Sequence, residues 1–292
     1  MRLHERAWTH KAHPIVLCAS ALIGLAACSK TPTPAAAKTT TAPQSDYGQS
    51  AQVSKSGKER PEEPAIDPKA TAALDRMGAF LRAQKEFVVK ADTTTDEVLE
   101  NGQKLQYTQK VEMFVKRPNK VRAKMVSDRK ERELYYDGKN MTVYGPRNDY
   151  YSTVDAPDTI EKVVNVGERK YGLELPLADM FYWGTDKSGV DAIKGAIDTG
   201  PATVDGVKTD SYAFRQDDVD WQIWIEQGAR PLPRKYVIVT KSEPSKPQFE
   251  STLTWTLKPG LKDAMFTFVA PKTAHKIPIV EMPGNDVDSP KK

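Results

Sequence analysis

In the stretch from residue 220 to residue 239, apolar side chains recur at every second position from Trp221 to Ile225. Trp221, Ile223 and Ile225 share one side of an extended chain, which is the pattern of a strand with one buried face. Gly228 follows directly and can adopt the backbone conformation of a tight turn, and a second apolar run comes after it. The stretch therefore predicts a β-hairpin.

The same alternation continues through most of the chain after residue 86. Asn101-Gly102, Asp137-Gly138 and Asp205-Gly206 separate neighbouring runs, and such dipeptides are typical of hairpin turns. Further strands are expected near residues 87–91, 105–115, 121–125, 134–136, 141–144, 150–154, 202–204, 212–215, 249–257 and 265–269. Short strands joined by tight turns predict an antiparallel meander.

Helical periodicity is confined to three places. Asp67 is an N-cap residue followed by proline, and the apolar residues behind it recur at helical spacing up to about Gln84. A capping-box pattern at residues 158–161 predicts a second helix. The apolar stretch at residues 175–184 suits a short third helix and carries three adjacent aromatic residues. The helical residues in the middle interrupt the strands, which indicates a helical insertion.

The first 27 residues have the features of a bacterial lipoprotein signal peptide. A basic start precedes an apolar run that is too short to span a bilayer, and the run ends in Leu25-Ala26-Ala27-Cys28. This end resembles a lipobox, in which Cys28 is lipidated and the chain is cut before it. The alternative is an ordinary secretory signal. Because Cys18 leaves with the signal, the mature chain has one cysteine and no internal disulfide.

Composition divides the rest of the chain into a tether, a domain and a tail. Residues 28–65 are low in complexity and in large apolar groups, so we expect a disordered tether after Cys28. Residues 66–280 carry the strand and helix patterns, and residues 281–292 are expected to be a flexible tail. The net charge is +4, much of it in the signal segment, so the chain does not have the strongly basic character of a nucleic-acid-binding protein.

Catalytic and metal-binding residues are scarce in the mature sequence. His275 is its only histidine, and it is expected to be solvent-exposed, so neither a histidine-rich zinc site nor a nucleophilic triad is predicted. An acidic cluster at Asp217, Asp218 and Asp220 lacks calcium-loop spacing and suits a solvated turn, although calcium binding is conceivable. We expect no catalysis, no cofactor and no metal.

A basic stretch between residues 116 and 132 has two interpretations. Its eight cations are Lys116, Arg117, Lys120, Arg122, Lys124, Arg129, Lys130 and Arg132. They could attract anionic headgroups or an acidic partner. They could also form the polar outer face and the turns of two strands, which is the interpretation that we favour.

Seven segments together resemble a family of predicted bacterial periplasmic proteins known only as a domain of unknown function. They are Asp67-Pro68, residues 136–139, 175–179, 200–206, 220–226 and 231–235, and Phe266-Thr267-Phe268. The family looks like a branch of the LolA/LolB-like superfamily of lipoprotein carriers and receptors. The resemblance implies an α+β fold, with a strongly curved antiparallel sheet, or incomplete β-barrel, whose concave face is covered by an N-terminal helix and a helical insertion. It also implies a cavity for acyl chains or lipids and carries no catalytic motif.

These observations lead to a hypothesis for the site. The predicted lining of the cavity is Phe87, Met113, Met125, Val143, Trp221, Ile223, Ile225, Leu253 and Trp255 from the strands, with Met180, Phe181 and Trp183 closing it. We expect a non-catalytic, monomeric envelope lipoprotein that faces the periplasm from the outer membrane and binds an acyl chain, a lipid or a lipidated partner. The alternative is a protein-interaction or envelope-stress module whose own helices fill the cavity.

Overall fold

A computed structural model describes residues 65–175 and 177–282. The predicted signal segment, Cys28, nearly all of the predicted tether and residues 283–292 lie outside the described residues, so their assignments stay predictions. Within the described residues, no helix is long and apolar enough to cross a membrane.

The described chain contains two α-helices and twelve β-strands. The helices are α1 (Pro68–Ala83) and α2 (Ile160–Tyr171). The strands are β1 (Glu86–Val98), β2 (Lys104–Lys116), β3 (Lys120–Ser127), β4 (Glu131–Tyr136), β5 (Asn140–Gly145), β6 (Tyr150–Asp155), β7 (Gly195–Val204), β8 (Val207–Arg215), β9 (Val219–Glu226), β10 (Pro233–Thr240), β11 (Gln248–Leu257) and β12 (His275–Lys276).

All strands belong to one curved sheet that does not close into a barrel. The order across the sheet is β12-β6-β5-β4-β3-β2-β1-β11-β10-β9-β8-β7. Every pairing of neighbouring strands is antiparallel except that of β12 with β6. The two meanders meet where β1 pairs with β11, although these strands are far apart in sequence. The predicted fold class, a curved antiparallel sheet with a helix and a helical insertion, is confirmed.

Helix α1 begins at the cap that the sequence predicts, whereas the cap of α2 is Thr159, one residue after the start of the predicted capping box. The Asp67 carboxylate accepts a hydrogen bond from the Lys69 backbone N–H at 2.8 Å, and proline occupies the first helical position of α1. Thr159 caps α2 in the same way, accepting from the Lys162 N–H at 3.3 Å. These bonds satisfy N–H groups that have no partner within the helix, so each helix starts at a defined residue.

The apolar faces of both helices bury against the concave face of the sheet. The start of α1 lies beside edge strand β7, where the Asp67 N–H donates to the Ala196 carbonyl at 3.0 Å. The Ile160 N–H of α2 donates to the Pro118 carbonyl at 3.2 Å, in the turn between β2 and β3. Both helices contribute to one continuous hydrophobic core, with Met77 and Ile160 among its fully buried residues. The concave face therefore holds the core of the protein.

One expectation from the sequence is met in part and another is wrong. The segment at residues 175–184 contains the expected short helix, but it is a single 3-10 turn at Ala178–Phe181, preceded by Leu177 in a left-handed backbone conformation (φ 64°). Residues 265–269 do not form the last strand. Asp263–Phe266 is a 3-10 turn instead, held where Lys116 contacts the Asp263 carboxylate at 2.7 Å, and the last strand is β12.

The end of the described chain wraps around the edge strand β6. We call residues 275–282 the strap. Its β12 portion pairs with β6, the Ile277 N–H donates to the Tyr151 carbonyl at 2.9 Å, and the Met282 N–H donates to the Lys170 carbonyl at 2.7 Å. The strap thus runs from β6 to the end of α2, and it protects an otherwise open sheet edge.

Candidate functional site

The predicted lining residues on the strands share the concave face. Cross-strand pairs connect Trp255, Val89 and Met113, and continue through Ala123 and Leu134 to Val143. Because directly opposite residues in an antiparallel sheet point to the same side, the register places these side chains on one face. Alternation along β1 and β3 adds Phe87 and Met125, and the same reasoning through β11, β10 and β9 adds Leu253, Trp221, Ile223 and Ile225. Their role in binding a ligand stays a prediction.

The tryptophan rings of this face are held by their neighbours. Trp255 lies 5.4 Å from Phe87 between ring centroids, and its Nε1 donates to the Pro233 carbonyl at 2.7 Å. Trp221 stacks on Phe214 at 4.2 Å. Both rings are only partly buried, whereas most of the other predicted lining residues are at most 4% exposed. The orientations of these two tryptophan rings are therefore fixed by their contacts, and both rings lie at the edge of the core.

The insertion brings its three predicted residues onto the same face. We call residues 177–192 the lid. Met180 and Phe181 are buried in the 3-10 turn of the lid, and Trp183 packs edge-on against Tyr236 of β10 at 5.8 Å between ring centroids. The Arg117 guanidinium stands over the Phe181 ring at 5.9 Å. The lid thus joins the predicted strand and insertion residues into one cluster.

Hydrogen bonds that involve side chains attach the lid to neighbouring elements. Arg82 of α1 donates to the Gly184 carbonyl and, at 3.3 Å, to the Trp183 carbonyl. The Tyr182 hydroxyl donates to the Glu161 carbonyl at 3.4 Å, and Gln216 donates to the Gly189 carbonyl at 3.1 Å. The recorded backbone bonds of the lid are local, from one residue to another three or four positions away. Side-chain packing and side-chain hydrogen bonds, rather than backbone pairing with the sheet, therefore attach the lid.

The centre of the concave face is filled by the protein itself. Ile223 is 0% exposed, and Leu253 and Met180 are nearly as buried. A cavity of about 230 Å³ lies instead at the β6 edge, where Val143 meets Arg132 and the strap. A ligand that reaches the centre therefore has to displace part of the lid.

Tyr212, Tyr236 and Arg132 are among the residues of the concave face that the predicted set did not include. Tyr212 and Tyr236 lie opposite Ile223 on the neighbouring strands, and burial raises the pKa of the Tyr236 hydroxyl far above its usual value. Arg132 lies opposite Met125. Period-two alternation could have found Arg132, because Leu134 and Tyr136 follow it on the same face.

The acidic cluster is neutralised by cations. Arg215 donates twice to the Asp220 carboxylate at 2.9 Å, which lowers the pKa of that carboxyl, and Lys194 contacts Asp217. Across the two described ranges there is no group of three or more histidine, cysteine, aspartate or glutamate side chains placed to hold a metal ion. His275 is exposed and stacks loosely on Tyr150 at 5.8 Å.

The family of the chain follows from a match over most of its length. A family model described as "Predicted periplasmic protein (DUF2092)" matches residues 70–280. The chain belongs to the DUF2092 family. The match covers nearly the whole folded part of this DUF2092 protein, and it confirms the resemblance found in the sequence. Curated protein sequences contain no match.

Solved structures with low sequence identity are also similar to this DUF2092 protein. Lipoprotein LppX of Mycobacterium tuberculosis is 12% identical with a TM-score of 0.43, over 67% of this chain and 98% of that chain. LprF of Mycobacterium bovis is 13% identical with a TM-score of 0.37, over 72% and 99%. A LolA superfamily protein of Nitrosomonas europaea is 10% identical with a TM-score of 0.35, over 68% and 97%. Likenesses at this level concern the fold alone.

Proposed function

We propose that this DUF2092 domain binds an acyl chain, a lipid or a lipidated partner between the concave face and the lid, without catalysis. The proposal is based on how the lid covers the concave face. Its centre is covered by an irregular segment whose described backbone hydrogen bonds join only near neighbours in sequence. Such a segment can move without breaking the backbone pairing of the sheet, as the lids of binding sites do.

The side chains at this interface suit an adaptable apolar site. Met77, Met113, Met125 and Met180 are all buried there, on α1, the sheet and the lid. Methionine is unbranched and polarisable, so it can repack around ligands of different shape. No histidine among the described residues faces this core, which agrees with binding rather than acid–base chemistry.

Energetics set a condition on how such a ligand binds. Exposing Leu177, Met180 and Phe181 of the lid costs roughly 1.5–3 kcal/mol each, or about 5–9 kcal/mol together. A buried chain of sixteen carbons returns at most about 12 kcal/mol at about 0.8 kcal/mol per methylene. Micromolar affinity needs about 8 kcal/mol net. The displaced lid residues must therefore pack again on the ligand, as a closing lid does.

The location of the protein is part of the proposal. The family is one of predicted periplasmic proteins, which agrees with the exported character of the N-terminus. We propose that Cys28 carries the lipid anchor, that Ser29 after it favours the outer membrane, and that the domain acts as a monomer on a tether. The tether leaves the concave face free to meet a ligand away from its own anchor.

A titration with palmitate tests the proposal. Tryptophan emission should change saturably, because Trp183, Trp221 and Trp255 adjoin the concave face. Ile223→Asp places a charge at a fully buried position of this face and should abolish the change in protein that retains a native circular dichroism spectrum. Trp224→Gln is the control, since Trp224 lies on the other face beside Lys235. The affinity of Trp224→Gln for palmitate should stay close to that of the wild type.

A second candidate is a protein-interaction or envelope-stress module. The filled centre of the concave face favours it, because the protein's own helices and lid already occupy the space that a lipid would take. An absence of saturable change with palmitate and with phospholipid, or equal loss in Ile223→Asp and Trp224→Gln, would support this candidate against lipid binding.

A further inference from the structure

The basic stretch between residues 116 and 132 does not form an open cationic surface. Seven of its eight cations contact a carboxylate at 4.0 Å or less, so the stretch is largely neutralised within the domain. These contacts are Lys116–Asp263, Arg117–Glu161, Lys120–Asp263, Arg122–Glu133, Lys124–Glu131, Arg129–Glu97 and Lys130–Glu174. Arg132 is the exception, and it makes no hydrogen bond or ion pair with any described residue.

Arg132 differs from the other cations in the face that it occupies. It lies opposite Met125 of β3 and alternates with Leu134 and Tyr136 along β4, so its side chain belongs to the concave, apolar side. It is half-buried and lines the cavity of about 230 Å³. A half-buried guanidinium on an apolar face without a counter-ion is partly desolvated and unpaired, so an anion in this place gains a favourable interaction.

The rest of the cavity is mostly apolar, with Ser152 and two tyrosines among its lining, and it adjoins the predicted lining. Val143 belongs both to the cavity wall and to the row of residues that leads across the concave face. Ile277 and Ile279 of the strap form the opposite wall. Glu281 is the acidic residue of the strap, and its carboxylate is paired with the Lys170 ammonium at 3.0 Å. A charged end beside Arg132 and an apolar chain beside Val143 fit this arrangement.

We propose that Arg132 binds the carboxylate of a long-chain fatty acid at the rim of the concave face, which rests on the proposed function. The planar guanidinium can donate two parallel hydrogen bonds to a carboxylate, which a lysine ammonium cannot do. The cavity is smaller than the roughly 300–1,000 Å³ of ordinary ligand pockets, so it holds the headgroup and the first carbons. The remaining chain extends past Val143 and Leu134 under the lid.

The test compares palmitate with hexadecanol, which has the same chain length without the charge. In the full mature protein, palmitate should bind more tightly than hexadecanol. Arg132→Gln should lower the affinity for palmitate by about 10- to 100-fold and leave the affinity for hexadecanol unchanged. Arg132→Lys keeps the positive charge but cannot donate two parallel hydrogen bonds, so its affinity for palmitate should lie between those of the wild type and Arg132→Gln. Arg129→Gln is the matched control, because Arg129 is exposed and paired with Glu97.

Each outcome bears on the proposal. Equal affinity for the two ligands, or an equal effect of Arg132→Gln on both, would overturn the role of Arg132 and leave acyl-chain binding standing. If sodium acetate binds the site as tightly as palmitate does, a free anion is sufficient, and the proposed path of the acyl chain past Val143 and Leu134 is wrong. Binding of neither amphiphile would overturn the proposed function together with this inference.

Discussion

The contact between Gly78 of α1 and Gly184 of the lid offers a direct test of the lid. A Cβ atom added at Gly78 would lie 2.7 Å from the Gly184 Cα and 2.8 Å from its nitrogen. Both are backbone atoms, so no side-chain rotation can relieve the clash. Gly78→Ala therefore requires the lid backbone to move away by up to about 1 Å, to an ordinary contact distance.

The magnitude follows from two opposing effects. Alanine is better than glycine in the interior of a helix by about 1 kcal/mol. Overpacking against a fixed neighbour costs about 1–3 kcal/mol. The free energy of unfolding should accordingly fall by between about 0 and 2 kcal/mol, and the loss should be concentrated in the closed lid, which is attached more weakly than the sheet.

Gly167→Ala in α2 is the matched control. Its added Cβ would meet the Leu175 Cδ1 at 3.2 Å and the Met141 Sδ at 3.7 Å, which are the ends of flexible side chains. These ends can shift, so this variant should gain up to about 1 kcal/mol from helix propensity. The two variants thus share the same chemical change and differ in what the new methyl group contacts.

Urea unfolding, acrylamide quenching of tryptophan and palmitate titration measure the effect. Gly78→Ala should have a lower unfolding midpoint than Gly167→Ala and more quenching, because Trp183 lies next to the displaced contact. Its palmitate affinity should rise by roughly tenfold for each 1.4 kcal/mol lost by the closed lid. Equal stabilisation by both alanines would refute the glycine contact. A more accessible lid with unchanged or weaker palmitate binding would refute its role as a gate.

Three further predictions concern the core and the anchor. The buried Tyr136 hydroxyl donates to the Pro157 carbonyl at 2.6 Å, and burial raises its pKa to about 12. Because the unfolded chain releases this proton near pH 10, stability should be intact below that pH and fall between about pH 10 and 12. Tyr136→Phe should lose about 1 kcal/mol at neutral pH and reduce this slope in urea titrations, and an unchanged slope would contradict the assignment. Cys28→Ser should remove lipid from the protein; an equal N-terminal lipid mass in the variant would contradict the anchor. A reducing agent should leave the melting temperature unchanged, whereas a reproducible drop would reveal a disulfide.

Local patterns in the sequence predicted the elements that depend on neighbouring residues. The hairpin β9–β10 follows from alternation and from Gly228, whose positive φ of 90° the turn requires. Helix α1 follows from its Asp67 cap and apolar spacing. The lid was predicted less well, because the left-handed backbone at the buried Leu177 is uncommon for any residue with a Cβ atom and has no signal in the local sequence.

The sequence by itself determined which residues are extended, which are helical and which side chains share a face, because these follow from periods of 2 and 3.6 residues. Only the tertiary structure decided that β1 pairs with β11, which joins two meanders into one sheet. It also separated Arg132 from the cations around it. Alternation in the sequence can place Arg132 on the apolar face, but it cannot show which cations are paired. A counter-ion is a partner in space, and Arg132 lines a cavity whose wall is completed by a strap from the other end of the described chain.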